Sequence, residues 1–182
     1  MSSGGPLLRR EGVSRSGRTW LIRPTRPDED AAELLAIRDE VAGEGELIAA
    51  VPGERSVLEE SLALSNLVGS GGLGLTAEVE GRVAGQLMVH RRSGRYEQHR
   101  GDVSIALRAG YRGEGLGRAL MEVAVEWARA VGLAKLTLGV FPSNAAALAL
   151  YRGMGFAEEG VLRGHLVLPA GPRDLVLMGL SL

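Results

Sequence analysis

The amino-acid sequence predicts an α+β (mixed α/β) fold, in which a single central, mostly antiparallel β-sheet is flanked by helices. Runs of alternating apolar and polar residues, typical of strands, lie on both sides of stretches with helical spacing. The turn Glu80-Gly81-Arg82 predicts an antiparallel hairpin between two of those runs. The 182 residues are 45% hydrophobic and contain no internal repeat, so one sizeable core is expected.

The first 18 residues differ in composition from the rest of the chain. They are rich in Ser, Gly and Arg and show no apolar period. We therefore expect residues 1–18 to be a mobile tail with solvated arginines, and residues 19–182 to form a single domain.

Two helices are predicted after a first short strand, WLIRP. Asp28 is expected to cap the first helix, which has apolar residues at helical spacing and ends at Gly43. Ser56 and Glu59 have the spacing of a capping box, which predicts the start of a second, shorter helix.

The remaining elements alternate between strands and helices. After the hairpin, the run DVSIALRAGY predicts a strand that leads into a helix over Leu116 to Val131. The strand AKLTLGVF, a helix from about Ser143 to Arg152 and two terminal strands, FAEEGVLRGHLV and RDLVLMGLSL, complete the order.

Composition excludes several classes of function. The chain has no cysteine, which removes thiol nucleophiles and disulfides and fits a reducing compartment. A formal net charge of -1 favours neither nucleic acid nor an anionic membrane surface. No apolar run reaches the roughly 18 residues of a membrane helix. The three histidines lack metal-ligand spacing. We expect a cytoplasmic protein without a metal, a nucleic-acid partner or a membrane anchor.

A glycine-rich segment lies between a strand and a helix. Arg112-Gly113-Glu114-Gly115-Leu116-Gly117-Arg118 offers no Ser, Thr, Asp or Asn to cap the helix, so its first N–H groups need another acceptor. A diphosphate would satisfy them, whereas a tight strand-to-helix turn would explain the glycines equally well. The segment matches neither the Walker pattern nor the dinucleotide fingerprint.

These residues resemble the GCN5-related N-acetyltransferase (GNAT) family, whose cofactor loop reads Arg/Gln-x-x-Gly-x-Gly/Ala. Arg112, Gly115 and Gly117 match that loop. A second segment, VFPSNAAALALYRGMGF, is similar to the family's other cofactor segment through Asn144, Ala147, Tyr151, Gly155 and Phe156. The resemblance implies acetyl-coenzyme A as co-substrate, held by residues that include Gly113 and Arg118.

The resemblance also implies roles for individual residues. Tyr151 would protonate the departing thiolate as a general acid; the alternative is a structural tyrosine. Asn144 and Ala147 would lie along the pantetheine arm, although Asn144 is also a suitable helix N-cap. A strand bulge would expose N–H groups near Leu107 and Ala109 to the thioester and pantetheine.

An acceptor ammonium must lose a proton before it can attack. Asp102, at the start of the strand before the glycines, is the base that the resemblance favours. His99, Glu44 and Glu46 are alternatives, and for each of the four taken singly a solvated surface group is the commoner role.

The resemblance predicts an N-acetyltransferase that moves acetyl to a primary amine of a small molecule, amino acid or peptide by direct attack in a ternary complex. A protein N-terminal or lysine acetyltransferase and a non-catalytic acyl-coenzyme A binding module are the alternatives. A homodimer is a further expectation from the resemblance. Residues 28 to 67, which would shape the acceptor pocket, carry no recognisable code.

Overall fold

The computed structural model describes residues 8–182 as eight strands and four helices. In chain order these are β1 (Arg10–Val13), β2 (Thr19–Pro24), α1 (Pro27–Gly43), α2 (Val57–Gly69), β3 (Leu73–Val79), β4 (Arg82–Arg91), β5 (Arg100–Leu107), α3 (Leu116–Ala130), β6 (Lys135–Val140), α4 (Ala145–Gly153), β7 (Ala157–Leu168) and β8 (Gly171–Ser181). A single turn of 3-10 helix, Ala109–Tyr111, separates β5 from α3.

All eight strands form one sheet in the order β1-β2-β3-β4-β5-β6-β8-β7. Every neighbouring pair is antiparallel except β5 and β6, which run parallel. The predicted mixed, mostly antiparallel sheet with flanking helices is therefore confirmed.

Helices cover both faces of the sheet. The larger core cluster contains the buried face of α3, with Leu116, Leu120, Val123 and Trp127, packed on Leu87 and Val89 of β4. The smaller cluster contains Leu34, Ile37 and Val41 of α1 and Leu64 of α2, with Met88 of β4 packed against it. Because adjacent strand residues point to opposite faces, β4 contacts both layers.

Sequence signals at the turns are largely confirmed. Ser56 and Glu59 form the reciprocal capping box. Glu80 and Gly81 have φ of 50° and 75°, which gives the β3–β4 hairpin two central residues with positive φ. The predicted cap at Asp28 is wrong: α1 begins at Pro27 after Arg26 and has no side-chain cap, whereas Asp28 accepts a hydrogen bond from Ser61.

The expectation of a mobile tail is wrong for part of residues 1–18. Arg10–Val13 pairs with Thr19–Ile22 as an antiparallel edge hairpin, because Trp20 packs against the core and its ring lies over Gly12. Residues 1–7 lie outside the described part of the chain.

A buried ion pair fixes α1 to the sheet. The Arg23 guanidinium donates to both carboxylate oxygens of Asp30, at 2.7 and 2.8 Å. Asp30 also accepts hydrogen bonds from the Arg26 N–H and the Thr76 hydroxyl. Burial alone would raise the pKa of Asp30, but these bonds together outweigh it, so the net pKa is lowered.

Candidate active site

A cleft of about 1080 Å³ opens where β5 and β6 separate. The two strands pair only from Arg100 to Asp102 on β5, and beyond that point their edges diverge. We call the two regions of the cleft the α3–α4 end, which is formed by the starts of those helices, and the α1–α2 end, which is formed by those helices and the segment between them.

The separation frees backbone donors of β5. The Arg108 N–H donates to the Ala84 carbonyl at 3.0 Å, so in this antiparallel ladder the N–H groups of Ile105 and Leu107 point away from β4. They face the edge from which β6 has diverged. The predicted bulge is wrong, because the register of β4 and β5 is continuous from Gly85↔Leu107 to Arg91↔Gly101. Ala109 lies in the 3-10 turn and does not line the cleft.

The glycine loop, which we define as residues 110–115, leads into α3 without a capping side chain. Gly113 and Gly115 have φ of +74° and +92°, in the left-handed region that favours glycine. Gly115 is the N-cap, so the first N–H groups of α3 have neither an intrahelical nor a side-chain partner in the described chain. Together with the helix dipole they form a site suited to an anion.

Gly117 and Arg118 complete this anion site. A Cβ on Gly117 would lie 3.3 Å from the Leu150 side chain, so glycine allows the start of α3 to approach α4 closely. Arg118 is exposed and lies beside the Gly153 carbonyl and the Met154 sulfur at the end of α4. Arg112, by contrast, is bound to Glu44 through two hydrogen bonds of 2.5 and 2.7 Å.

Helix α4 presents Asn144 and Tyr151 to the same cleft. Asn144 is the N-cap: its carbonyl oxygen accepts the Ala147 N–H at 3.1 Å, which leaves the side-chain NH₂ available. Ala147 also lines the cleft. The capping role considered from the sequence is thus present, and it is compatible with a ligand contact through the remaining amide hydrogens.

Tyr151 is almost fully buried, yet it lines the cleft. Its ring packs against Phe156 with centroids 5.9 Å apart. No residue from 8 to 182 makes a hydrogen bond with its hydroxyl, and burial raises the pKa of that hydroxyl to about 12. The group is therefore protonated at neutral pH and free to donate.

Neither Asp102 nor the other groups considered as the base are available to the cleft. Asp102 does not line it; its carboxylate pairs with Arg92 and accepts the Thr137 hydroxyl at 2.6 Å. Arg112 holds the pKa of Glu44 below its usual value, and Arg173 followed by Ser143 does the same for Glu46. His99 is absent from the lining as well.

The α1–α2 end contains titratable groups that sequence reasoning did not select. Glu60 is 1% exposed and pairs with Arg55 at 3.0 Å. His90 lines the cleft, and desolvation lowers its pKa below the ordinary 6.5 despite the opposing charge of Asp102. His165 lines the cleft from β7. No local motif marks these residues, because each comes from a different element.

Two general properties of the described chain complete the description. No group of three His, Asp or Glu side chains within residues 8–182 is arranged to hold a metal ion. None of the four described helices has the length and apolar character that a membrane crossing requires.

Comparison with known proteins agrees with this geometry. The sequence model described as the acetyltransferase (GNAT) family matches residues 28–156. The ribosomal protein bS18-alanine N-acetyltransferase of Escherichia coli is 39% identical over 79 residues, which are 43% of this chain and 53% of that protein. The chain thus aligns with about half the length of this curated relative.

Two solved structures are similar over nearly their whole length. An acetyltransferase of the GNAT family from Streptococcus pneumoniae has 30% identity and a TM-score of 0.82, covering 90% of this chain and 99% of that one. A ribosomal-protein-alanine N-acetyltransferase from Brucella melitensis has 30% identity and a TM-score of 0.82, covering 88% and 99%. The chain belongs to the acetyltransferase (GNAT) family.

Proposed function

We propose that this protein is an N-acetyltransferase that transfers acetyl from acetyl-coenzyme A to a primary amine of a small molecule, amino acid or peptide. The observation that carries the proposal is the continuous cleft from the uncapped start of α3 to the free Tyr151 hydroxyl. Family membership and the N-acetyltransferase relatives support it.

The α3–α4 end has the donors that coenzyme A requires. The N–H groups at Gly113, Gly115 and Gly117, with the Arg118 guanidinium, suit a diphosphate. The Leu107 N–H and the Asn144 amide suit pantetheine, whose thin arm would pass Ala147. Ala109 and Arg112 are less well placed to contact coenzyme A, because Ala109 lies outside the cleft lining and the Arg112 guanidinium is paired with Glu44.

The reaction proposed is direct attack within a ternary complex, since the chain has no cysteine to carry the acetyl group. The amine nitrogen bonds the acetyl carbon as the carbon–sulfur bond breaks, and the thiolate takes the Tyr151 proton. The raised pKa of about 12 keeps this tyrosine protonated at neutral pH, but it also makes the hydroxyl a weaker acid than a thiol of pKa about 8.5, so the transfer is completed only as the tyrosinate regains a proton from water.

We place proton removal from the acceptor on His90 rather than on Asp102. His90 lines the cleft and is neutral at pH 7 because desolvation lowers its pKa, whereas Asp102 is paired with Arg92 outside the cleft. Glu60 also lines the cleft but is engaged by Arg55. In the wild type, we expect kcat/KM to decrease as the pH falls, with the midpoint of that decrease below pH 6.5. In His90→Gln this decrease should be absent. An unchanged acid decrease of kcat/KM in His90→Gln would show that another group removes the acceptor proton.

The acceptor is best sought among three classes of amine. The E. coli and B. melitensis relatives are named for ribosomal-protein alanine, which makes an alanine-first peptide one member of the panel. Free amino acids and lysine-containing peptides are the others. Release of free thiol from acetyl-coenzyme A would be measured for each amine and for buffer alone.

That panel separates enzyme from binding module. Amine-dependent thiol release supports the enzyme and ranks the acceptors. Saturable binding of acetyl-coenzyme A without release for any amine would favour a non-catalytic acyl-coenzyme A binding module. Absence of binding at millimolar cofactor would overturn both assignments.

A further inference from the structure

The loop of the N-terminal hairpin, residues 14–18, is docked onto the glycine loop. The Arg15 N–H donates to the Glu114 carbonyl at 3.3 Å, and the Arg15 Nη1 donates to the Gly113 carbonyl at 3.1 Å. The residues joined by the side-chain contact are 98 positions apart in the sequence. The glycine loop therefore receives a second layer of contacts that no local motif encodes.

Arg18 holds the other side of the glycine loop. Its Nη2 donates to the Gly110 carbonyl at 3.1 Å, and its guanidinium lies 5.0 Å from the centre of the Tyr111 ring. The hairpin loop thus contacts the glycine loop at both ends.

These contacts orient the donors of the glycine loop. In a trans peptide the carbonyl of one residue and the N–H of the next point in opposite directions. Because the hairpin binds the Gly113 and Glu114 carbonyls, the N–H groups of Glu114 and Gly115 point away from it. Two donors are thereby fixed before any ligand arrives.

The hairpin also neutralises the acid of the glycine loop. Glu114 Oε2 accepts the Ser16 N–H at 2.9 Å, and Oε1 lies 3.7 Å from Arg18 Nη2. Glu114 is the only acidic residue in positions 110–115. A carboxylate that would repel an anion is thus held on the hairpin side.

Arg15 retains most of its own donors. A guanidinium has five N–H donors, and the contact with Gly113 uses one. Arg15 lines the cleft beside Gly113, Gly115 and Arg118, and no carboxylate within residues 8–182 forms a salt bridge with it. By contrast, Arg112 is committed to Glu44.

We propose that Arg15 binds a phosphate of the coenzyme A ligand, so that the N-terminal hairpin is part of the cofactor site. This rests on the proposed function for the identity of the ligand. The fixed peptide groups, the neutralised Glu114 and the uncommitted guanidinium all favour an anion at one place.

The test compares Arg15→Gln with wild type in the full chain. We expect the Kd for coenzyme A to rise about tenfold to a hundredfold, the range for losing a hydrogen bond to a charged group. Arg9→Gln is the matched control, because Arg9 lies just before the same hairpin and pairs only with Glu11 among the described residues. Its Kd should equal that of wild type.

A phosphate-free acetyl donor distinguishes binding from a purely structural role. With S-acetylpantetheine, kcat/KM should be the same for Arg15→Gln and wild type if Arg15 acts on phosphate. A matching loss with this donor, or an unchanged Kd for coenzyme A, would overturn the inference. Failure of the wild type to bind coenzyme A would instead defeat the proposed function, and thermal melting of the free proteins checks folding.

Discussion

The two ends of the cleft are built in different ways. At the α3–α4 end, consecutive backbone groups of residues 113–118 and two side chains seven residues apart on α4 make the surface. At the α1–α2 end, side chains from α1, α2, β4 and β7 converge, and both arginines of this end are ion-paired, Arg55 with Glu60 in the lining and Arg38 with Glu54 outside it.

The two constructions are expected to respond differently to amino-acid substitution. A backbone site needs only glycine conformations and free N–H groups, so it tolerates change in the surrounding side chains. A site made of side chains changes its shape and charge with each substitution of a lining residue. The contrast leads us to propose that cofactor binding and acceptor choice depend on separate parts of the molecule, which substitutions at each end can test.

The largest expected effect is on turnover. Tyr151→Phe removes the only hydroxyl proposed to protonate the thiolate, so kcat should fall about 10²- to 10⁴-fold while the Kd for acetyl-coenzyme A stays unchanged. Steady-state rates and cofactor titration measure the two quantities. Tyr96→Phe is the control, since Tyr96 is 84% exposed and lies outside the cleft. Full turnover in Tyr151→Phe would show that this tyrosine contributes only packing.

The next effect concerns stability, at the buried ion pair that fixes α1 to the sheet. Asp30→Asn removes the more buried of the two carboxylates paired with Arg23, while Glu78 still accepts from Arg23 Nε at 2.7 Å. We therefore expect the free energy of unfolding to fall by about 3 kcal/mol, the lower end of the range for a broken buried ion pair. Denaturant titration measures it. Asp28→Asn, in the same turn but less buried, should change stability by less than about 0.5 kcal/mol.

The same pair predicts a pH dependence. The folded-state pKa of Asp30 is lowered, so its contribution to stability is complete above about pH 4, the unfolded value, and is lost as the pH falls through the folded pKa. Asp30→Asn should lack this part of the acid sensitivity. Parallel acid-unfolding curves for the variant and the wild type would contradict the assignment.

Cofactor affinity should depend on the glycine backbone. Gly115→Glu places a carboxylate at the anion site, and we expect it to abolish most of the stabilisation by acetyl-coenzyme A, about 2.7 kcal/mol at a hundredfold excess over Kd. Gly132→Glu is matched to it: both glycines have positive φ and open space where a Cβ would lie, and Gly132 lies at the far end of α3. Both variants should lose about 1–2 kcal/mol from backbone strain, but only Gly115→Glu should lose the ligand response.

The smallest effect concerns Glu46, which joins the segment between α1 and α2 to Arg173 on β8 and to Ser143 before α4. Glu46→Gln weakens that connection, so we expect a severalfold rise in the acceptor KM with the cofactor Kd unchanged. Glu159→Gln, which disrupts the surface pair with Lys135, should alter neither value. A change confined to the cofactor Kd would show that the two ends are not independent.

Sequence patterns predict the fold well where the signals are local. The apolar face of α3, the capping box at Ser56 and the hairpin at Gly81 each follow from residues within about one element. The strand Arg10–Val13 has no such signal, because its four residues carry no apolar period and are stabilised by pairing with β2.

The predicted site residues likewise divide into those that local sequence signals placed correctly and those that depend on tertiary contacts. Most of them line one cleft: Leu107, Arg112, Gly113, Gly115, Gly117, Arg118, Asn144, Ala147 and Tyr151. Asp102 does not, because it lies where β5 is still paired with β6 and its carboxylate is turned toward Arg92 and Thr137. Arg15 was expected to be solvated. Its contact with the glycine loop could not be predicted from the sequence, because it depends on the pairing of β1 with β2.

The sequence by itself determined the uncapped start of α3 and the spacing of Asn144 and Tyr151 on α4, because a missing capping side chain, glycine positions and helical spacing are set by neighbouring residues. Only the tertiary structure decided which charges are free and which are neutralised. Arg112 and Glu44, like Arg55 and Glu60, are brought together by chain packing, and Arg15 reaches Gly113 across 98 positions of sequence. Electrostatic partners depend on distance in space, and the order of residues along the chain does not specify that distance.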